Sequence, residues 1–131
     1  MLRQRFYLKH YNWEVVVLYE VNKDNTDEVM KILTSICNDD TVINKAFDNI
    51  SANKLDTGFA YSNFNSHKTL IIISKGSSKG EVLSTIAHEA NHLQSHIATV
   101  YGLNEKGEEV SYLMGTIIKN MYKVFRKIIF S

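Results

Sequence analysis

Proline is missing from the chain, and glycine occurs only six times in 131 residues. Linkers between folded units are rich in such residues, so the expectation is one domain spanning residues 1–131. A single cysteine, Cys37, leaves no internal disulfide. Packing alone must hold the core, and a reducing compartment suits such a chain. Long apolar runs are also missing. The strongest, Leu70-Ile71-Ile72-Ile73, is far short of the roughly 20 residues that a membrane-spanning helix needs. No apolar segment or small-residue cleavage site follows Met1-Leu2-Arg3-Gln4-Arg5, so no export signal is expected and the reading is cytoplasmic. Charge of one sign is not in excess either. A formal net charge of +1, with basic residues scattered and no recognition motif, gives no case for nucleic acid or an anionic membrane as partner.

What is present suits a globular domain: 44% hydrophobic and 22% charged residues, both ordinary values. Residues 5–21, centred on Val15-Val16-Val17-Leu18-Tyr19, are rich in β-branched and aromatic side chains and read as one strand. Asn22-Lys23-Asp24-Asn25 breaks it. Asn25 with Glu28 then has the spacing of a capping box before the stripe Val29, Ile32, Leu33 and Ile36. A second helix is marked by Val42, Ile43, Ala46, Phe47 and Ile50. Residues 57–62 and 69–74 read as two strands of a β-hairpin. Ser78 with Glu81 opens a long helix that runs to about Tyr101 and stops at Gly102. A last helix begins near residues 105–107 and continues to about Ile129. The fold expected is α+β: a small antiparallel sheet packed on two long C-terminal helices.

Chemistry concentrates on the first of those helices, in His88-Glu89-Ala90-Asn91-His92. Histidines at i and i+4 leave one helical face together, so both rings can reach a single ion. Glu89, one residue further round, is placed to act as general base toward a water that zinc has acidified to a pKa of about 7. The bland alternative is two surface histidines beside a solvated glutamate. A zinc site needs a third protein ligand. His96 lies about 12 Å along the axis from His88 at 1.5 Å per residue, too far to share an ion easily. His67, in the hairpin loop, has no spacing that requires it. Glu108 and Glu109 open the last helix after a short turn, and either could reach back; Glu108 is slightly favoured. An acidic residue there also stabilises a helix N-terminus without any metal.

At these residues the chain resembles the zincin metallopeptidases, in their gluzincin pattern of H-E-x-x-H followed by a glutamate on the next helix. It is similar in this to short zincin-like proteins of phages and mobile elements. The resemblance covers about residues 57–118. It implies a zincin-like minimal domain with Zn2+ held by His88, His92 and Glu108 (alternatively Glu109), and Glu89 as catalytic base. Ser111 at the third position after Glu108 favours that glutamate. The resemblance also implies a strand edge beside the metal helix for an extended peptide, a part that Leu70–Ser74 could play. Tyr112, Tyr61 and His67 are candidates for oxyanion or substrate contact, each also readable as a packing residue.

The activity expected is therefore hydrolysis of a peptide or amide bond in a peptide or protein substrate. The rival is a catalytically inactive zincin-like binding or regulatory module whose metal is structural. Met114, Ile117, Ile118, Met121, Val124, Phe125 and Ile128 make the last helix apolar over more than one narrow stripe, which would allow a homodimer.

Overall fold

The computed structural model describes residues 1–54 and 58–131. Thr57, expected to begin a strand, lies outside the described residues. The elements are β1 (Leu2–Leu8), β2 (Trp13–Val21), α1 (Thr26–Ile36), α2 (Asp40–Ser51), β3 (Gly58–Asn63), β4 (Lys68–Ser74), α3 (Lys79–Tyr101) and α4 (Glu108–Ile129). The fold is α+β, with two long C-terminal helices as expected.

The single strand expected over residues 5–21 is two strands. A short 3-10 turn at Lys9–Tyr11 reverses the chain, and Asn12 closes it in the left-handed region at φ 50°. Asparagine is among the few non-glycine residues that enter that region at modest cost. β1 and β2 then pair antiparallel, Leu2 opposite Tyr19 and Leu8 opposite Trp13. A second adjustment concerns α1. Asn25 makes no side-chain cap to it; the capping box is instead Asn22 with Asn25, around the 3-10 turn Lys23–Asn25.

Strand order is β1-β2-β4-β3. The sheet is mixed rather than wholly antiparallel: β3 and β4 form the expected antiparallel hairpin, but β2 and β4 run parallel. Parallel neighbours need a long crossover, and α1 and α2 supply it. Both strands of that pair lie inside the sheet, and their middles, Val17-Leu18-Tyr19 and Leu70–Ile73, are buried on both faces, as continuous apolar strands are.

One face carries Trp13, Val15, Val17, Ile71 and Ile73 against Ile86, Leu93 and Ile97 of α3 and Leu113, Ile117 and Met121 of α4. The other carries Leu18, Leu70 and Ile72 against Val29 and Leu33 of α1 and Ala46 and Ile50 of α2. The helices thus sit on opposite faces, giving three layers. Met114, Ile118, Val124 and Ile128 are half-buried and pack on the first core, so much of the wide apolar surface of α4 is used within the chain. No described helix is long and apolar enough to cross a membrane.

α3 is fixed at both ends by the signals read from sequence. Ser78 Oγ accepts from the Glu81 N–H at 3.1 Å. Gly102 turns left-handed at φ 64°, and the Leu103 N–H reaches back to the Ala98 carbonyl.

Candidate metal centre

α3 buries Val82, Ile86, Ala90, Leu93 and Ile97 on one side. His88 and His92 project to solvent from another. Glu89 lies between these two faces and is buried, at 3% exposure. The sequence dictates this division: His88 and His92 are four apart, whereas Glu89 is about 100° further round, toward the sheet.

The two Nε2 atoms face each other 3.1 Å apart. Two nitrogens bound to one tetrahedral zinc at about 2.0–2.1 Å would be roughly 3.3 Å apart. The imidazole pair therefore has the span and exposure to hold one ion with little movement. His88, Glu89 and His92 have donor atoms within 4.8 Å of one another and form the one such group of three among the described residues.

Glu89 is seated on the start of β3. A Cβ added at Gly58 would stand 2.9 Å from both Cγ and Oε2 of Glu89, and 2.8 Å from the Ile72 carbonyl oxygen. Only glycine leaves room there. Burial pushes the Glu89 carboxyl above its ordinary value, and His92 and His88 oppose that shift.

Glu89 and His96 are seven residues apart, two helical turns less about 20°, so they leave α3 in nearly the same direction. His96 accordingly also meets β3, with Nδ1 2.6 Å from Ser62 Oγ. The positions of β3 facing α3 are Gly58, Ala60 and Ser62, all small, while Phe59 and Tyr61 face α1 and α2. That alternation lets α3 lie close along β3, and it is the signal by which sequence reading could have found the Glu89 and His96 seats. β3 is an edge strand, so its outer backbone groups are not paired within the sheet.

The remaining expected site residues are elsewhere. Tyr11 explains why for the glutamates: Tyr101, at the end of α3, donates to the Tyr11 carbonyl, and the Tyr11 hydroxyl donates to Glu109 Oε1 at 3.0 Å. The start of α4 is therefore level with residue 101, about 13 Å beyond His92 and 20 Å beyond His88 along α3. Glu108, Glu109 and Tyr112 instead line a groove with Leu8, His10 and Tyr11. Glu109 also lies 3.9 Å from His10 Nε2. Gly115, about two turns along α4 from Glu108, is exposed, with nothing within 4 Å of an added Cβ. Neither glutamate joins the histidine pair.

Tyr61 faces the opposite side of the sheet, where burial and then Cys37 push its hydroxyl up to about 12. His67 stacks on Trp13 at 4.7 Å between ring centroids and lies near Tyr101, at the far end of α3 from His88. The Leu70–Ser74 strand, expected beside the metal as a substrate edge, is β4 and is paired on both sides. Comparison of the chain with protein-family models, with curated proteins and with solved structures gives no match.

Proposed function

We propose that the chain is a zinc-dependent hydrolase of peptide or amide bonds, in which His88 and His92 hold the metal and Glu89 is the general base. The observation that carries this reading is a buried carboxylate set between two facing, solvent-exposed imidazoles and a strand edge. Zinc at such a site supplies Lewis acidity toward a carbonyl and acidifies the water it contacts. Glu89 takes a proton from the attacking water and delivers it to the leaving amine. Its burial raises its proton affinity from the ordinary carboxylate range toward what a base at neutral pH needs. The outer edge of β3 offers main-chain donors and acceptors along which an extended peptide can add as a further strand. The gluzincin resemblance supports the same roles for His88, Glu89 and His92, and it stops short of Glu108.

A second reading is favoured by one observation: Glu89 is the third member of the only such ligand group among the described residues. As a ligand it would help close the site, and the protein would be a binding or regulatory module with a structural metal.

Zinc content and affinity of wild type, His88→Ala and Glu89→Gln, followed by cleavage of a peptide library, separate the two. Hydrolysis requires zinc lost in His88→Ala, kept in Glu89→Gln, and cleavage by wild type only. Loss of zinc in Glu89→Gln with no cleavage by wild type selects the module. No zinc bound by wild type refutes both.

A further inference from the structure

Trp13 begins a line of polar contacts that crosses the sheet and ends on the metal helix. Its indole Nε1 lies 2.8 Å from Thr69 Oγ1, Thr69 Oγ1 lies 2.6 Å from Ser62 Oγ, and Ser62 Oγ lies 2.6 Å from His96 Nδ1. Heavy-atom distances leave the hydroxyl protons unassigned, but donor accounting places them. An indole N–H can only donate, so Thr69 accepts from Trp13. Thr69 is buried, at 2% exposure, and Ser62 is the one other partner of its hydroxyl among the described residues. Leaving a buried hydroxyl proton unbonded is unfavourable, so Thr69 donates to Ser62. The Ser62 proton then has His96 Nδ1 as its acceptor.

The line therefore has a direction, and it fixes the ring at its end. With Nδ1 accepting, a neutral His96 carries its proton on Nε2. That atom bonds to no described residue, yet it is not sealed from solvent: the one buried side-chain atom without a partner among the described residues is Gln94 Oε1. His96 stands one turn beyond His92, with ring centroids 6.2 Å apart, and its other neighbour is the exposed ring of Phe64 at 5.4 Å. Its anchor, Ser62, belongs to the strand along which the proposed peptide would lie.

We propose that His96 is a substrate-contact residue, held as the neutral Nε2–H tautomer by the Trp13–Thr69–Ser62 line and offering a fixed N–H to a main-chain carbonyl of an extended peptide beside β3. The proposal rests on the hydrolase reading for its ligand, and on the hydrogen-bond line alone for its tautomer. Holding the ring through Nδ1 removes the rotational freedom that a lone surface histidine would lose on binding, the sense in which the contact is preorganised.

Long-range proton–nitrogen spectra of the full, histidine-labelled chain read the tautomer directly, with the His96 signals assigned by their loss in His96→Gln. The expected pattern is protonation at Nε2, changing to a mixture of tautomers in Ser62→Ala. Protonation at Nδ1 in wild type overturns the proposal. A library of end-blocked hexapeptides is then added to zinc-loaded Glu89→Gln, and the His96 Nε2 signal is expected to move together with the β3 amides. Movement of the β3 amides with a silent His96 overturns this proposal and leaves the hydrolase reading standing. If neither moves and wild type cleaves nothing, both fall. In steady-state cleavage, His96→Phe should raise KM about tenfold at nearly unchanged kcat, the worth of one hydrogen bond. His96→Gln, which retains a side-chain N–H, should recover part of that loss. An equal KM in all three refutes the contact.

Discussion

Replacing Gly58 by alanine tests how Glu89 is held. The added methyl would meet Glu89 Cγ and Oε2 at 2.9 Å and the Ile72 carbonyl at 2.8 Å, against ordinary contacts of about 3.5–4.0 Å. The Ile72 carbonyl belongs to an interior strand and cannot yield. Glu89 must therefore move by about half an ångström or more, or β3 must lift from α3. Overpacking of this kind costs about 1–3 kcal/mol, and at this chain length each kcal/mol lowers Tm by about 3–5 °C. A carboxylate displaced on that scale should lower kcat by about ten- to a hundredfold. Zinc affinity should hold within about threefold, because His88 and His92 lie on the exposed side of α3 and do not touch Gly58. Gly115→Ala is the matched control: nothing lies within 4 Å of its added methyl, so replacing a mid-helix glycine should gain about 0.5–1 kcal/mol. Thermal unfolding, zinc titration and peptide cleavage on the three proteins decide the matter. A Gly58→Ala chain as stable and as active as wild type would refute the seat described for Glu89.

Glu108→Gln and Glu109→Gln should each leave zinc affinity within about twofold, since the start of α4 lies about 13–20 Å along α3 from the histidines; a tenfold loss in either would show that helix misplaced. Saturating zinc should raise Tm, by the equivalent of about 2.7 kcal/mol at a hundred times Kd, and His92→Ala should abolish the rise in the same melting assay. Burial holds the Tyr19 hydroxyl well above its ordinary value, and burial with Cys37 raises Tyr61 to about 12. Each raised group binds its proton more tightly folded than unfolded, so its stabilisation is full below about pH 10 and is lost as pH rises beyond it, at up to about 1.4 kcal/mol per pH unit for the buried Tyr19 and less for the half-exposed Tyr61, where solvent screens the effect. Denaturant unfolding from pH 9 to 12 should show that loss, and Tyr19→Phe should flatten it; an unchanged slope would mean that Tyr19 is not sealed in the folded chain.

The His88–Glu89–His92 cluster was legible because its geometry is local. Four-residue spacing on a helix with a capped start and a glycine stop needs no knowledge of the tertiary fold, and Ser78 and Gly102 both act as read. That Glu108 and Glu109 fall away from the histidine pair was not legible. Their position depends on where the turn after Tyr101 sets the start of α4, and that is fixed by Tyr11, about ninety residues earlier in sequence. The first hairpin was hidden because Lys9-His10-Tyr11-Asn12 reverses the chain without proline or glycine, leaving Asn12 as the sole cue. Leu70–Ile73 was legible as a strand; its burial on both faces, which rules out a role as substrate edge, comes from its place inside the sheet. That its inner neighbour runs parallel follows from the crossover through α1 and α2, which no short window of sequence displays. The alternation of Gly58, Ala60 and Ser62 with Phe59 and Tyr61 was present in the sequence, and it becomes informative once a helix is known to lie on the small side.

The mixed sheet also sets an order in time. The direct contacts of Glu89 with Gly58 and of His96 with Ser62 join residues between 58 and 96, within a hairpin and the helix that follows it. The parallel β2–β4 pairing must instead bring residue 14 to residue 68 across two helices. Loop-closure entropy makes such distant pairings the slow ones. The hairpin and α3 can therefore condense as a local unit, while the sheet is completed only when β2 docks along β4.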